Sequence, residues 1–192
     1  MPSTSTPFPL FRLPYVALNE VFCSFECGDL IEMSLCSKRC KRIVKSTRND
    51  FFGIRIFITS DYFSIRVDGK NGVETMWMFS ATHHDENSRV YMLSGEEIKV
   101  QRCLSIFEVF YPPEHRQFIM TSLVNLMMDS LQIPMLKVDL HTNGFVDFLD
   151  FVPSFQKSRK ICFNGITPLS VEDLDFVKNT VSSDTELQFS PF

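Results

Sequence analysis

The chain has 192 residues, of which 44% are hydrophobic, and it contains 20 Phe but a single Trp. This composition is ordinary for a globular protein, and the length suits one domain or a small module followed by a domain. The net charge of −4 excludes a general electrostatic attraction to nucleic acid or to anionic membranes.

The start of the chain gives no sign of export. Residues 1–9 are mainly Ser, Thr and Pro, and we interpret them as a disordered leader because a basic region followed by an apolar run is missing. No apolar stretch is long enough and free enough of charge to span a bilayer. We therefore expect a cytoplasmic or nuclear protein whose 6 cysteines are reduced.

Residues 10–48 predict a compact unit of three short helices. Pro14 suits the first turn of a helix, and apolar residues follow it at three- and four-residue spacing. Asp29 can cap a second helix, and Ser37 can cap a third that runs to about Ser46. Such short helices bury little apolar surface alone, so the unit is expected to need the rest of the chain or a partner.

After the helical unit, the period changes to that of β-strands. Residues 51–58 and 61–68 are close to strict alternation, and residues 68–72 are a turn rich in Gly and Asn. Residues 73–79 provide the returning strand, so the pattern predicts an antiparallel β meander. Residues 89–93 are one more candidate strand.

The middle of the chain predicts two helices. Residues 96–110 carry apolar side chains at helical spacing, among them Val100 and Phe107, and two prolines end this pattern. Residues 114–131 predict the second helix.

The last third predicts alternating strands and helices. Strands at 136–140, 160–163 and 185–189 are separated by helical patterns at 145–155 and 170–181. A parallel βαβαβ arrangement with right-handed crossovers is the economical solution. Its period lies within the range of leucine-rich repeats, although their Leu/Asn signature is missing. The predicted fold is therefore α+β: a three-helix module, an antiparallel meander and a leucine-rich-repeat-like βαβαβ region.

The helical unit resembles an F-box. The residues that carry this resemblance are Leu13-Pro14, Val21-Phe22, Phe25, Asp29-Leu30, Met33, the segment from Cys36 to Arg39, and Ile43-Val44. The general F-box pattern lies on them without a gap. Three positions depart from it. Tyr15 replaces a common acidic residue, Cys40 stands where many members have Trp, and Cys36 stands where a strongly apolar residue is often found.

The resemblance implies a non-catalytic, substrate-recruiting subunit of an SCF-type ubiquitin ligase. Its partners would be an SKP-type adaptor, through it a cullin, and an unknown target protein, with no cofactor and no metal. The implied adaptor contacts are Leu13, Pro14, Val21, Phe22, Leu30 and Cys36 on an apolar face, with Ser37 and Lys38 at its rim.

Residues 96–192 are similar to the type-two F-box-associated domain of F-box proteins from families expanded in nematodes. The strand near Val138 and the segments KICFNG, SVEDLDFVKNTV and TELQF carry the similarity. It implies an F-box at 10–48 and a target-binding associated domain at 51–192 that is short or truncated. The sequence does not identify the target-binding surface, and the loops at 80–88, 142–144 and 164–166 are candidates for it.

Two sharper interpretations of the helical unit remain as alternatives. Cys23, Cys27, Cys36 and Cys40 form two C-x-x-x-C pairs that could bind zinc, but small apolar fillers on two helices explain them more simply. The basic residues Lys38, Arg39, Lys41, Arg42, Lys45 and Arg48 could form a nucleic-acid recognition helix. The acidity of the rest of the chain favours a solvated face instead.

A further alternative is a decayed F-box protein that binds its adaptor weakly and recruits no target. For an enzyme, the sequence offers no Gly-rich phosphate loop and no nucleophile motif.

Overall fold

The structure is a computed structural model that describes residues 10–47, 49–70, 72–80, 88–145, 147–166 and 168–191. The leader predicted at 1–9 and most of the loop predicted at 80–88 lie outside these residues. The described chain confirms the α+β class, with three helices at the N-terminal end followed by a mixed β-sheet.

The secondary structure within the described residues consists of α-helices, β-strands and three short 3₁₀ segments. The helices are α1 (Tyr15–Cys23), α2 (Cys27–Cys36), α3 (Lys38–Ser46), α4 (Arg116–Leu131) and α5 (Val171–Thr180). The strands are β1 (Phe51–Ile58), β2 (Phe63–Gly69), β3 (Gly72–Ser80), β4 (Arg89–Leu93), β5 (Glu96–Cys103), β6 (Ile106–Phe110), β7 (Met135–His141), β8 (Lys160–Gly165) and β9 (Glu186–Pro191). The 3₁₀ segments are Leu10–Arg12, Pro113–His115 and Phe148–Phe155.

The starts of α1 and α3 follow from the chain's local chemistry. The carbonyl of Pro14 accepts the backbone N–H of Leu18 at 2.9 Å, so proline sits at the helix entrance where its missing N–H costs nothing. The Ser37 hydroxyl accepts the backbone N–H of Cys40 at 3.1 Å and caps α3. Both positions were predicted from the sequence. The cap predicted at Asp29 is wrong, because α2 begins at Cys27 with Glu26 as its N-cap and Asp29 lies in its first turn.

The strands form one nine-stranded sheet in the order β4-β5-β6-β3-β2-β1-β7-β8-β9. The predicted meander is confirmed, because β1, β2 and β3 pair antiparallel. The sequence did not indicate that this meander and the C-terminal strands belong to the same sheet. Their connection is the parallel pairing of β1 with β7, in which Ile56 lies beside Val138 and Ile58 beside Leu140.

The helix predicted over 96–110 is wrong, because these residues form β5 and β6. Leu104 has a φ of 57° in the connection between the two antiparallel strands. Within the strands, Ile98 and Val100 are buried, as are Phe107 and Val109. This two-residue alternation competes with the helical spacing, and pairing with β3 decides in favour of strands.

The parallel arrangement of the last third is confirmed, since β7 pairs with β8 and β8 with β9 in parallel. The intervening segments are the 3₁₀ helix Phe148–Phe155, which contains Pro153, and α5. Ser170 and Asp173 form a capping box at the start of α5.

The core lies between the sheet and α4. Ile119, Leu123 and Met127 of α4 are fully buried and belong to one apolar cluster with the inward-facing residues of the strands. Trp77 of β3 stacks on Phe107 of β6 with ring centroids 4.4 Å apart, and both side chains are fully buried. No helix within the described ranges is long and apolar enough to cross a bilayer.

Candidate functional site

A shallow groove runs between the start of the described chain and α3, and we call it the α1–α3 groove. It has a volume of about 370 Å³ and is lined by Phe11, Leu13, Tyr15, Leu18, Arg39, Arg42, Ile43 and Ser46. The Arg39 guanidinium donates to the carbonyl oxygen of Phe11 at 3.0 Å and lies 5.2 Å from the centre of its ring. The groove therefore combines an apolar floor with a cationic rim.

The residues predicted to contact an adaptor differ widely in exposure. Pro14, Cys36, Ser37 and Lys38 are exposed, and Leu13 and Val21 are half-buried. Phe22 and Leu30 are only 0% and 2% exposed, so they offer no surface to a partner in this conformation. Of this predicted set, whose members all lie in the described part of the chain, only Leu13 lines the α1–α3 groove.

Two exposed apolar residues beside Pro14 were missed from the sequence. Tyr15 is 63% exposed and lines the groove, and its neighbour Val16 is 72% exposed. A departure from the usual F-box pattern at Tyr15 was the available signal. Large apolar side chains left in water next to an apolar groove are typical of a protein-contact surface.

The second helix of the unit is attached to the sheet by a set of charged and polar contacts, which we call the Glu32 network. Glu32 is only 7% exposed and accepts the Tyr91 hydroxyl at 2.6 Å, while Arg89 lies 3.4 Å from the same carboxylate oxygen. On β5, Arg102 pairs with Asp29 and also contacts Glu26 at 2.8 Å.

The pKa shifts of Tyr91 and Arg102 favour the protonation states that these contacts require. Burial, together with the hydrogen bond to Glu32, raises the pKa of Tyr91 to about 12. The hydroxyl therefore stays protonated at neutral pH and can donate to Glu32. The hydrogen bond to Asp29 raises the pKa of Arg102, which keeps the guanidinium charged.

Direct packing accompanies these polar contacts. Gly28 of α2 lies against the ring of Phe107, and a Cβ placed on this glycine would be 2.4 Å from two ring atoms. The helix backbone thus approaches the sheet more closely than any side chain would allow. The helical unit and the sheet are therefore packed as one body at α2, which the sequence did not predict.

The basic side chains of α3 are partly used within the chain. Asp129 of α4 pairs with Lys45 and with Lys41, the second at 2.9 Å. Hydrogen bonds from Lys45 and Lys41 lower the pKa of Asp129. Since Asp129 holds Lys41 and Lys45 and the Phe11 carbonyl holds Arg39, three of the basic side chains that a recognition helix would present are engaged within the chain, whereas Arg48 lies outside the described residues.

The four cysteines of the helical unit do not share one environment. Cys27 and Cys40 are buried, whereas Cys23 and Cys36 are exposed. Burial raises the pKa of the Cys27 thiol far above its usual range, which opposes the thiolate form that binds zinc. Among the side chains that the structure describes, no three His, Cys, Asp or Glu groups come together as a metal site.

Comparison with known proteins supports the resemblance of the helical unit to an F-box. The family model of the F-box domain matches residues 10–52. Residues 10–52 are an F-box domain. Such a domain generally binds SKP-type adaptors within SCF ubiquitin ligases and is not itself catalytic.

The other comparisons are less informative. An uncharacterized protein of Caenorhabditis elegans is 33% identical over 72 residues, which cover 36% of this chain and 14% of that protein. The matched segment therefore spans only a small part of its relative. No solved structure matches the chain.

Proposed function

We propose that the chain is a substrate-recruiting subunit of an SCF-type ubiquitin ligase, and that it acts by positioning and not by chemistry. The F-box match at residues 10–52 carries this proposal. The F-box would dock on an SKP-type adaptor, and through it on a cullin. The remainder of the chain would hold a target protein close to the ubiquitin-charged enzyme and raise its effective concentration there.

The α1–α3 groove and its neighbours form the proposed docking surface. Leu13, Pro14 and Val21 would supply apolar contacts, with Tyr15 added because it is exposed in the groove. Burial of a large apolar side chain contributes about 1.5–3 kcal/mol, so a few such contacts are enough for a stable complex.

The remaining residues of the predicted set divide into two groups. Cys36, Ser37 and Lys38 are exposed and stay in the proposal as rim contacts. Phe22 and Leu30 would act indirectly, by holding α1 and α2 in the shape that presents the surface, because both are buried in the chain itself.

We further propose that residues 51–192 are an F-box-associated domain of the type-two class. The similarity of the segments KICFNG, SVEDLDFVKNTV and TELQF to that class supports this assignment. The Glu32 network would keep such a domain in a fixed orientation to the adaptor, which favours transfer of ubiquitin to a defined region of the target.

The test is co-purification of the chain with an SKP-type adaptor, followed by titration of the purified proteins. The double variant Leu13→Ala/Pro14→Ala should weaken binding roughly 30-fold or more. Tyr15→Ala is the cleaner probe, because this side chain is mostly in water and its loss should leave the fold intact. A loss of roughly fivefold or more is expected for it.

The matched control is Ile166→Ala, which removes an exposed apolar side chain on the opposite part of the chain. It should bind the adaptor as the unmodified chain does. If the unmodified chain is folded by circular dichroism and binds no adaptor, the proposed function is wrong.

A further inference from the structure

A second apolar cavity lies far from the F-box along the chain, where the parallel strands β7, β8 and β9 end. We call it the strand-end cavity. It has a volume of about 380 Å³ and is lined by Thr142, Phe163, Gly165, Pro168, Leu169, Leu174, Lys178, Phe189 and Ser190. The carboxyl ends of parallel strands are a common place for binding sites, because loops and helix ends leave a crevice there.

The cavity is apolar and has one charged side chain at its wall. Phe163 and Phe189 stack with ring centroids 5.3 Å apart, and Leu169 and Leu174 are half-buried opposite them. Lys178 is exposed, and none of the described acidic side chains forms an ion pair with it. A ligand with an apolar group and a nearby carboxylate would match both features.

The adjoining strand β9 is an edge strand of the sheet that the described residues form. β9 is the last strand of the sheet and pairs only with β8 among the described strands. The backbone N–H of Glu186 donates to the carbonyl of Arg159 at 2.9 Å, on the β8 side. Because successive residues of a strand point their backbone groups to opposite sides, Leu187 and Phe189 direct theirs away from β8.

The side chains of the same two residues lie on the cavity face of the sheet. Phe189 is beside Phe163 in the parallel register, and it is 42% exposed. A strand added at this edge would place alternate side chains on the same face, next to the cavity.

We propose that this end of the sheet binds an extended segment of a target protein as an additional β-strand. The segment would place a bulky apolar side chain in the strand-end cavity and an aspartate or glutamate against Lys178. Backbone hydrogen bonds to Leu187 and Phe189 would provide affinity, and the cavity and the lysine would provide selectivity. The inference rests on the proposed function, since it names the class of target segment that the recruiting subunit would hold.

The experiment begins with random short linear peptides displayed on phage and selected on the immobilised full chain. The enriched peptides should combine a bulky apolar residue with an acidic residue close to it. One enriched peptide, made synthetically with a fluorescent label, is then titrated against purified variants by fluorescence anisotropy.

Lys178→Glu should weaken the binding of this peptide roughly tenfold, because an attractive charge pair becomes a repulsive one. Lys157→Glu is the matched control, since it makes the same charge change at an exposed lysine outside the cavity. It should leave the affinity within about twofold. Enriched peptides that bind Lys178→Glu and the unmodified chain equally well would overturn the proposal, as would the absence of any enriched peptide.

Strand addition is tested on the peptide itself. Methylation of single backbone nitrogens should weaken binding more than about tenfold at alternate positions and have little effect between them. Uniform tolerance of methylation would overturn strand addition. Sedimentation of the free chain as a dimer that Lys178→Glu disrupts would show that a second copy occupies the edge, which would also overturn it.

The two proposals fail separately. Lys178→Glu should bind the SKP-type adaptor normally, because the cavity and the α1–α3 groove share no lining residue. Normal adaptor binding without peptide binding would reject the strand-addition site alone. Peptide binding without adaptor binding would reject the ligase function while leaving the peptide site in place.

Discussion

The two ends of the sheet differ in the elements that pack against their last strands. At the β4 end, α2 covers the strands, and the Glu32 carboxylate is only 7% exposed among Tyr91, Arg89 and Arg102. At the β9 end, Phe189 keeps 42% of its surface in water. We call the β4 end, which packs against the helical unit, the closed end, and the β9 end, where Phe189 is partly in water, the open end; β4 and β9 are both edge strands of the described sheet.

The two ends also differ in their ion pairs. The acidic groups of α2 at the closed end are neutralised by cations of the same chain, and Arg102 alone contacts both Glu26 and Asp29. Lys178 at the open end has no such partner among the described residues.

The largest expected difference between the two ends concerns their aromatic residues. Phe107→Ala should lower the free energy of unfolding by about 3–5 kcal/mol, because it removes a fully buried ring that packs on Trp77 and Gly28. Phe189→Ala should cost no more than about 1.5 kcal/mol, since much of that ring is in water. Urea denaturation followed by circular dichroism measures both values.

The comparison would be broken by equal losses of stability. That result would mean that the open end is covered in solution by the chain or by a second copy. Sedimentation analysis of the unmodified chain separates these two explanations.

A smaller effect on stability is expected when the Glu32 network at the closed end is disrupted. Glu32→Ala should destabilise the chain by about 1–3 kcal/mol, because the half-buried Tyr91 hydroxyl loses its acceptor. Tyr91→Phe should cost about 1 kcal/mol, and the double variant should cost less than the sum of the two changes. The measurement is a double-mutant cycle of urea midpoints.

The control for this cycle is Glu20→Ala, which removes an exposed carboxylate of α1 and should change stability by less than about 0.5 kcal/mol. Strictly additive losses for Glu32 and Tyr91 would show that the two groups do not stabilise each other. The attachment of α2 to the sheet would then depend on packing such as that at Gly28.

Local features of the sequence were enough to predict much of the fold. Pro14 and Ser37 mark helix starts by well-understood capping chemistry, and the alternation in β1 and β2 is clear because one face of these strands is buried. The prediction for residues 96–110 was wrong because Val100 and Phe107 fit both a helical and a strand period. Only pairing with β3, a contact between distant residues, decides between the two.

The arrangement of the site was less predictable for the same reason. The contact between Glu32 and Tyr91 joins residues 59 positions apart, and no short motif announces such a pair. Burial of Phe22 and Leu30 depends on how α1 and α2 pack on the other elements. The F-box pattern predicts which residues would contact an adaptor, but not which of them remain on the surface.

The smallest expected effect concerns the ion pairs between α3 and α4. Asp129→Asn removes the partner of Lys41 and Lys45 and should destabilise the chain by at most about 1 kcal/mol, because these groups are well exposed to water. Since the pKa of Asp129 is lowered in the folded chain, its stabilising contribution is present above the unfolded value of 3.8. The contribution is lost as the pH falls through the lowered pKa.

The difference in stability between the unmodified chain and Asp129→Asn should therefore shrink in acid. Thermal unfolding at neutral pH and again below about pH 3 measures this change, with added salt as a second variable. Salt should reduce the difference at neutral pH, whereas the Glu32 network should respond less because its carboxylate is shielded from water. A difference that persists unchanged in acid would indicate that Asp129 acts through packing and not through its charge.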